Sequence, residues 1–206
     1  MVKMKILVAP NSLKESLTSV EASHAIENGI KSVAPDFEVI SVPIPDEGED
    51  IINAIQTYTN DYKLYESIVR DPLGDKVSAN WVVLELNNQK TAIIEAHQVI
   101  GYNLLEKEEL NPLETSSYGL GELILEAIDK NCTKIIITAS ESITCDGGSG
   151  MLKALGSIFT DSYVKDLPDG GGYLNNLMGI ALTQIDMRLA NVFFVLASDK
   201  NQPLCG

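Results

Sequence analysis

The sequence predicts an α/β protein: a mostly parallel sheet with helices on both faces, accompanied by a smaller β-rich subdomain. Three observations carry that expectation. Short runs of consecutive apolar residues at 5–9 (KILVA), 133–138 (TKIIIT) and 192–197 (VFFVLA) have the composition of strands covered on both faces. Amphipathic helical stretches alternate with them. Polar, acidic and glycine residues collect just after the runs, where open α/β sheets bind ligands.

The elements follow in order. The first strand is ended by Pro10. Thr18 and Glu21 stand at capping-box spacing, and Ala22, Ala25, Ile26, Gly29, Ile30 and Val33 then share one helical face. Residues 37–42 alternate and are β-rich, ended by Pro43 and Pro45. Ile51, Ile52, Ala54 and Ile55 predict another amphipathic helix. Residues 62–99 change character. Strands are expected at 64–69, 77–86 and 91–94, with turn signals at Asp71-Pro72-Leu73-Gly74-Asp75 and Asn87-Asn88. Thr115, Ser116 and Ser117 precede a stripe of Leu120, Leu123, Ile124, Ala127 and Ile128, and can cap that helix. Residues 147–155 open a further helix, and 169–172 form a Gly-rich loop. The expected organisation is an incomplete α/β domain made of residues 1–61 and 111–206, with 62–110 inserted as the β-rich subdomain.

Composition narrows the function classes. At 206 residues the chain is one large domain or two small ones, and 45% apolar content is enough for a core. Fifteen basic against 29 acidic residues give a net charge of −14, which disfavours nucleic acid and anionic lipid as partners. Three widely spaced cysteines with no CxxC argue against a disulfide framework or a zinc site. There is no signal-peptide pattern and no apolar stretch of membrane-spanning length, so a cytoplasmic location is expected.

The residues following the strands are Asn11, Ser12 and Lys14; then Asp46, Glu47, Gly48 and Glu49; then Ser140, Glu141, Ser142, Thr144, Asp146, Gly147 and Gly148; then Ser198 and Asp199. This set has the ingredients of phosphoryl transfer, which needs neutralised phosphate charge, free backbone amides and a carboxylate near the attacking hydroxyl. Lys14 could supply the positive charge. Asp46, Glu49, Asp146 or Asp199 could hold Mg²⁺ through water. Gly147 and Gly148, ahead of a helix, could present amides to a phosphate, and Asp199 is the candidate base. Plainer readings stand beside these: Lys14 as a surface lysine, Asp46 and Asp146-Gly147-Gly148 as turns, Asp199 as a cap. His24 is expected to face solvent, and His97 follows a strand. The P-loop, GxGxxG and GxSxG patterns do not occur where they would signal an NTPase, a dinucleotide oxidoreductase or a hydrolase.

At these strand ends the sequence resembles the bacterial glycerate kinase family of the glycerate 2-kinase type. Residues 5–17 (KILVAPNSLKESL) are similar to its APDSFKxSL signature, and 43–50 (PIPDEGED) to its PxADGGEG. Residues 71–74 (DPLG), 111–124 (NPLETSSYGLGELI), 140–151 (SESITCDGGSGM) and 197–206 (ASDKNQPLCG) are similar to its GPLG, NP-x(n)-TSYGTGELI, GGSATNDGGAGM and ACDVTNPLLG stretches. The matches run in order along the whole chain.

The resemblance implies two α/β domains, one Rossmann-like, with ATP and Mg²⁺ as cofactor and ion. It implies D-glycerate as phosphoryl acceptor, with 2-phosphoglycerate favoured as product. Carried over by position, Lys14, Asp46 and Asp199 are the expected catalytic residues. Asn11, Ser12, Ser142, Asp146, Gly147 and Gly148 are the expected substrate- and phosphate-binding residues. The sequence departs from the family pattern at Asn11, Glu47, Asp50, Ser140, Glu141 and Cys145. Family chains run to nearly twice this length. The alternative expectation is therefore a truncated or diverged member acting as a non-catalytic binding module, and an open sheet edge leaves room for a homo-oligomer.

Overall fold

The structure is a computed structural model that describes residues 4–13, 16–45, 50–139 and 142–198. It divides into two compact units, Met1–Asp61 and Tyr62–Gly206.

The first unit contains β1 (Lys5–Val8), α1 (Ser19–Val33), β2 (Glu38–Ser41) and α2 (Ile51–Tyr58). β1 and β2 pair in parallel, from Lys5↔Glu38 to Val8↔Ser41. The capping box of α1 forms as expected: Glu21 N donates to Thr18 Oγ1 at 3.2 Å and Thr18 N donates to Glu21 Oε2 at 2.9 Å. Thr18 N and the Thr18 hydroxyl, the latter at 3.0 Å, both donate to the Glu21 carboxylate and favour its ionised form, so Glu21 is held below the usual glutamate pKa. The apolar stripe, by contrast, is covered only in the first turn. Ala22 is buried, whereas Ile26 is 44% and Val33 86% exposed.

The second unit contains β3 (Lys63–Arg70), β4 (Lys76–Leu86), β5 (Gln89–Glu95), α3 (His97–Ile100), α4 (Tyr118–Asp129), β6 (Lys134–Thr138), α5 (Ser149–Ala154), β7 (Ile158–Thr160), β8 (Gly179–Ala181) and β9 (Phe193–Ala197). Its main sheet has the order β3-β4-β5-β6-β9. β3-β4 and β4-β5 are antiparallel, whereas β5-β6 and β6-β9 are parallel. The β4–β5 turn is the expected one. Asn87 and Asn88 both adopt positive φ (52° and 61°), which a tight hairpin of the right-handed twist requires and asparagine tolerates.

The α/β class is as the sequence indicates, but the grouping of segments differs. Residues 62–110 do not stand apart as an insertion. β5 is hydrogen-bonded along its length to β6, from Thr91↔Lys134 to Glu95↔Thr138, so the antiparallel and parallel strands form one sheet. The change from alternating to continuous hydrophobicity marks the change of strand direction within that sheet.

One face of this sheet carries the core. Val69, Ala79, Trp81, Val83, Ala92, Ile94, Ile135 and Ile137 pack with Leu120, Leu123, Ile124, Ala127 and Ile128 of α4. Trp81 is fully buried, stacks on Tyr65 with ring centroids 4.8 Å apart, and donates its indole N–H to Ser67 Oγ at 2.9 Å. The last strand departs from expectation. VFFVLA reads as doubly covered, yet β9 lies at the end of the sheet, with Phe193 62% and Leu196 69% exposed.

Candidate active site

The parallel strands β5, β6 and β9 end together. The row Glu95↔Thr138↔Ala197 closes the carboxyl end of the sheet, the position where α/β sheets bind ligands. Glu95 and Thr138 are both buried there. Gln98 fixes the Glu95 carboxylate: its Nε2 donates to Glu95 Oε2 at 2.8 Å, while its Oε1 accepts Asn80 N at 2.6 Å. Glu95 is not among the residues that the sequence predicts for the site, although it is an acidic residue closing an apolar run (TAIIE) like those at the other strand ends.

The loop after β6 is drawn back over this end. Ile143 N donates to Ile100 O at 3.0 Å, and Ile143 O accepts Thr115 Oγ1 at 2.8 Å. Ser142 is exposed, and its Oγ lies 2.8 Å from Thr144 Oγ1.

Asp146 is 2% exposed, and its carboxylate is fully engaged within the loop. Oδ2 accepts Ser117 N and Ser117 Oγ, each at 2.8 Å, and Gly150 N at 3.0 Å. Oδ1 accepts Gly148 N at 3.0 Å. Ser117 Oγ in turn accepts Met151 N at 3.0 Å. Ser117 stands at the N-cap of α4 but does not cap it; its hydroxyl serves the start of α5. The amides of Gly148, Gly150 and Met151 are thus taken by side chains, and Ser149 N donates to Asp146 O. The loop is a clamp that holds the starts of α4 and α5 together.

The glycines fit that clamp. Gly147 and Gly148 have positive φ (59° and 79°), the region glycine enters without strain. Open space lies where a Gly147 side chain would stand. At Gly150 a Cβ would collide with Ser116 Oγ and lie 2.8 Å from Asp146 Oδ2 and Tyr118 N. At Gly119 it would run into the Arg70 carbonyl.

In the first unit, Ile44 N donates to Pro10 O at 3.0 Å, which brings the segments after β1 and β2 side by side. Asn11 is exposed and Ser12 half-buried in the first of these segments. Lys14, Asp46 and Asp199 lie outside the described residues, as do Glu47, Ser140 and Glu141.

Residues 6–206 match the model of the glycerate kinase family. The chain belongs to that family. It is 43% identical over 203 residues to a glycerate kinase of Haemophilus influenzae, covering 98% of this chain and 53% of the relative. It is 40% identical over 203 residues to the glycerate 2-kinase of Escherichia coli, covering 98% and 52%. A Salmonella typhimurium LT2 crystal structure named for glycerate kinase 2 superposes with a TM-score of 0.83 at 35% identity, covering 98% of this chain and 54% of that one. The chain spans about half the length of the curated relatives it matches.

Membership gives Asp50 a physical reading. It occupies a place where the glycerate kinase motif carries glycine, and its φ is 62°. Aspartate is among the few non-glycine residues that enter the left-handed region at low cost. Here its carboxylate accepts Ser19 Oγ at 3.0 Å and Asn53 Nδ2 at 2.7 Å, tying α1 to α2. This departure from the motif is accommodated by the fold.

Among the described residues no group of three or more His, Cys, Asp or Glu side chains could hold a metal ion. No helix among them is long and apolar enough to cross a membrane.

Proposed function

We propose that the chain acts as a glycerate kinase, which transfers a phosphoryl group from ATP to D-glycerate with Mg²⁺ in the cytoplasm. One observation carries the reading: the family match runs over residues 6–206, and relatives at 40% identity or above are named glycerate kinase and glycerate 2-kinase. 2-Phosphoglycerate is the favoured product.

The roles divide by what each side chain has left to offer. Asp146 has both carboxylate oxygens committed within its loop, so its part is to hold Gly147 and Gly148 in place. It does not fit a metal ligand. By their places in the family motifs, Asp46 is proposed to hold Mg²⁺ or substrate, and Asp199 to act as base or metal ligand. Lys14 neutralises phosphate or the glycerate carboxylate, and Asp199 accepts the proton of the attacking hydroxyl. The exposed hydroxyl of Ser142, the open backbone at Gly147, and Asn11 with Ser12 are the binding groups.

The experiment is a glycerate- and Mg²⁺-dependent ADP-release assay on the 206-residue chain, with product identity read by direct conversion through enolase. Lys14→Ala and Asp199→Asn are each expected to lower kcat/KM by about 10²–10³-fold. A double variant that turns over glycerate as fast as the parent sinks the reading. A second reading, a glycerate or nucleotide binder without turnover, is favoured by the half-length match to the relatives. Calorimetric binding of ATP or glycerate with no ADP release would select it.

A further inference from the structure

We propose that Glu95 holds the 3-hydroxyl of the acceptor acid, and that Gln98 is the positioning residue that aims its carboxylate. The inference deepens the glycerate reading of the site and rests on it.

Place is the first observation. β5 runs inside the main sheet, between β4 and β6. Its last residue closes the row Glu95↔Thr138↔Ala197, where the parallel strands end. Ligands of α/β sheets bind at that end. Glu95 is 4% exposed there. A carboxylate so buried costs desolvation that a neutral side chain of the same size avoids.

Orientation is the second. Asn80 N can only donate, so the Gln98 oxygen faces it, at 2.6 Å. The Gln98 amide nitrogen is thereby turned towards Glu95 Oε2, at 2.8 Å. A backbone amide of β4 thus sets the direction of a carboxylate at the end of β5. A group held this way needs little further ordering when a ligand arrives.

Charge selects what Glu95 takes. A carboxylate repels the phosphates of ATP and the carboxylate of glycerate, and it accepts from hydroxyls. Glycerate brings two of these. With 2-phosphoglycerate as product, the 2-hydroxyl is the one that reacts, and Asp199 accepts its proton in the proposed reaction. The 3-hydroxyl is left for Glu95. As a metal ligand Glu95 would lack company: among the described residues no group of three or more His, Cys, Asp or Glu side chains could hold a metal ion.

The test titrates the full 206-residue chain, without nucleotide or Mg²⁺, and reads the Kd of three acids from backbone amide shifts. D-Glycerate carries both hydroxyls, D-lactate lacks the 3-hydroxyl and 3-hydroxypropionate lacks the 2-hydroxyl. A hydrogen bond to a charged acceptor corresponds to about tenfold or more in affinity, so the parent should prefer D-glycerate to D-lactate by that factor. In Glu95→Gln this preference should fall by about fivefold or more, because a neutral amide is the weaker acceptor. The lost charge acts on both acids alike, so the ratio isolates the hydroxyl. A merely structural Glu95 would weaken both acids together and leave the ratio intact. Gln98→Met keeps the carboxylate but removes its support, and should lower the same ratio by a smaller factor. Asn80 is exposed, so water takes over its amide, and this variant carries the test if Glu95→Gln does not fold. An unchanged ratio in a folded variant overturns the proposal and leaves the glycerate reading standing. So does a Glu95→Gln variant that loses the preference for D-glycerate over 3-hydroxypropionate instead, because Glu95 would then face the reacting hydroxyl. A parent that binds none of the acids overturns both.

Discussion

The two units carry helices of similar quality on very different foundations. α1 in the first unit is capped by a complete Thr18–Glu21 box, yet most of its apolar stripe faces solvent. α4 in the second unit has no side-chain cap of its own, yet seven of its residues are buried between the five-stranded sheet and α5. The contrast separates two sources of helix stability. Capping satisfies orphan amides locally, whereas packing buries area. In the second unit the capping groups have been redirected: Ser117 and Asp146 serve the joint between α4 and α5. The candidate site is built where tertiary contacts are dense, and its loop is held by buried hydrogen bonds.

The largest expected effect lies at that joint. Asp146→Ala removes the acceptor of Ser117 N, Ser117 Oγ, Gly148 N and Gly150 N at a site that is 2% exposed. Buried donors left without partners, and hydrogen bonds to a charged acceptor, place the loss at about 3–4 kcal/mol in urea unfolding of the second unit. Asp146→Asn keeps one acceptor oxygen and should lose roughly half as much. A change below 1 kcal/mol for the alanine variant would mean that water replaces the carboxylate, and that the joint is not what orders the loop.

Much of this was legible in the sequence. Periodicity located α1 and α4, and Asn87-Asn88 located the hairpin, because each rests on local chemistry that the chain carries with it. Three things were not legible. The partnership of β5 with β6 is a pairing between residues 91–95 and 134–138, and nothing local to either strand encodes it. The Asp-Gly-Gly sequence of residues 146–148 fits both a turn and a phosphate loop, and the four donors around the Asp146 carboxylate are contacts that this local sequence does not announce. Glu95 carries a signal, an acidic residue closing the run Ala92-Ile93-Ile94, but its burial at the sheet's end comes from the pairing with β6, which that run does not encode. The reverse case is Asp50, whose departure from the family pattern looks disruptive in sequence and is explained by one backbone angle.

Glycine substitutions test the same contrast at intermediate magnitude, with opposite signs in the two units. Gly119 in α4 faces the Arg70 carbonyl so closely that a Cβ forces a backbone shift. Gly119→Ala is expected to destabilise the second unit by about 2–3 kcal/mol, the usual cost of overpacking. Gly29 in α1 has nothing within 4 Å of its would-be side chain. Gly29→Ala should stabilise the first unit by roughly 0.5–1 kcal/mol through helix propensity alone. Thermal melts of both variants decide the matter. If Gly29→Ala were also destabilising, the exposed side of α1 would be in contact with something in solution, and the contrast between the units would fail.

The smallest effect is a pH dependence confined to the start of α1. The Thr18 backbone and side chain donate to Glu21, which holds its carboxyl below the usual glutamate range. A carboxylate whose pKa is lower folded than unfolded contributes stability above its unfolded value, and that contribution disappears as pH falls through the folded value. The capping box should therefore be intact above the ordinary glutamate value of about 4.3 and lost as pH falls through the lowered folded value. Carbon-detected titration of the Glu21 carboxyl gives the first readout, and exchange of the Glu21 amide gives the second. Thr18→Val removes both donor and acceptor hydroxyl functions while keeping the backbone amide, so it should bring the Glu21 titration part of the way back. If Glu21 titrates identically in the parent and the Thr18 variant, the Thr18 hydroxyl contributes nothing to holding the carboxylate. The backbone amide would then carry the whole shift.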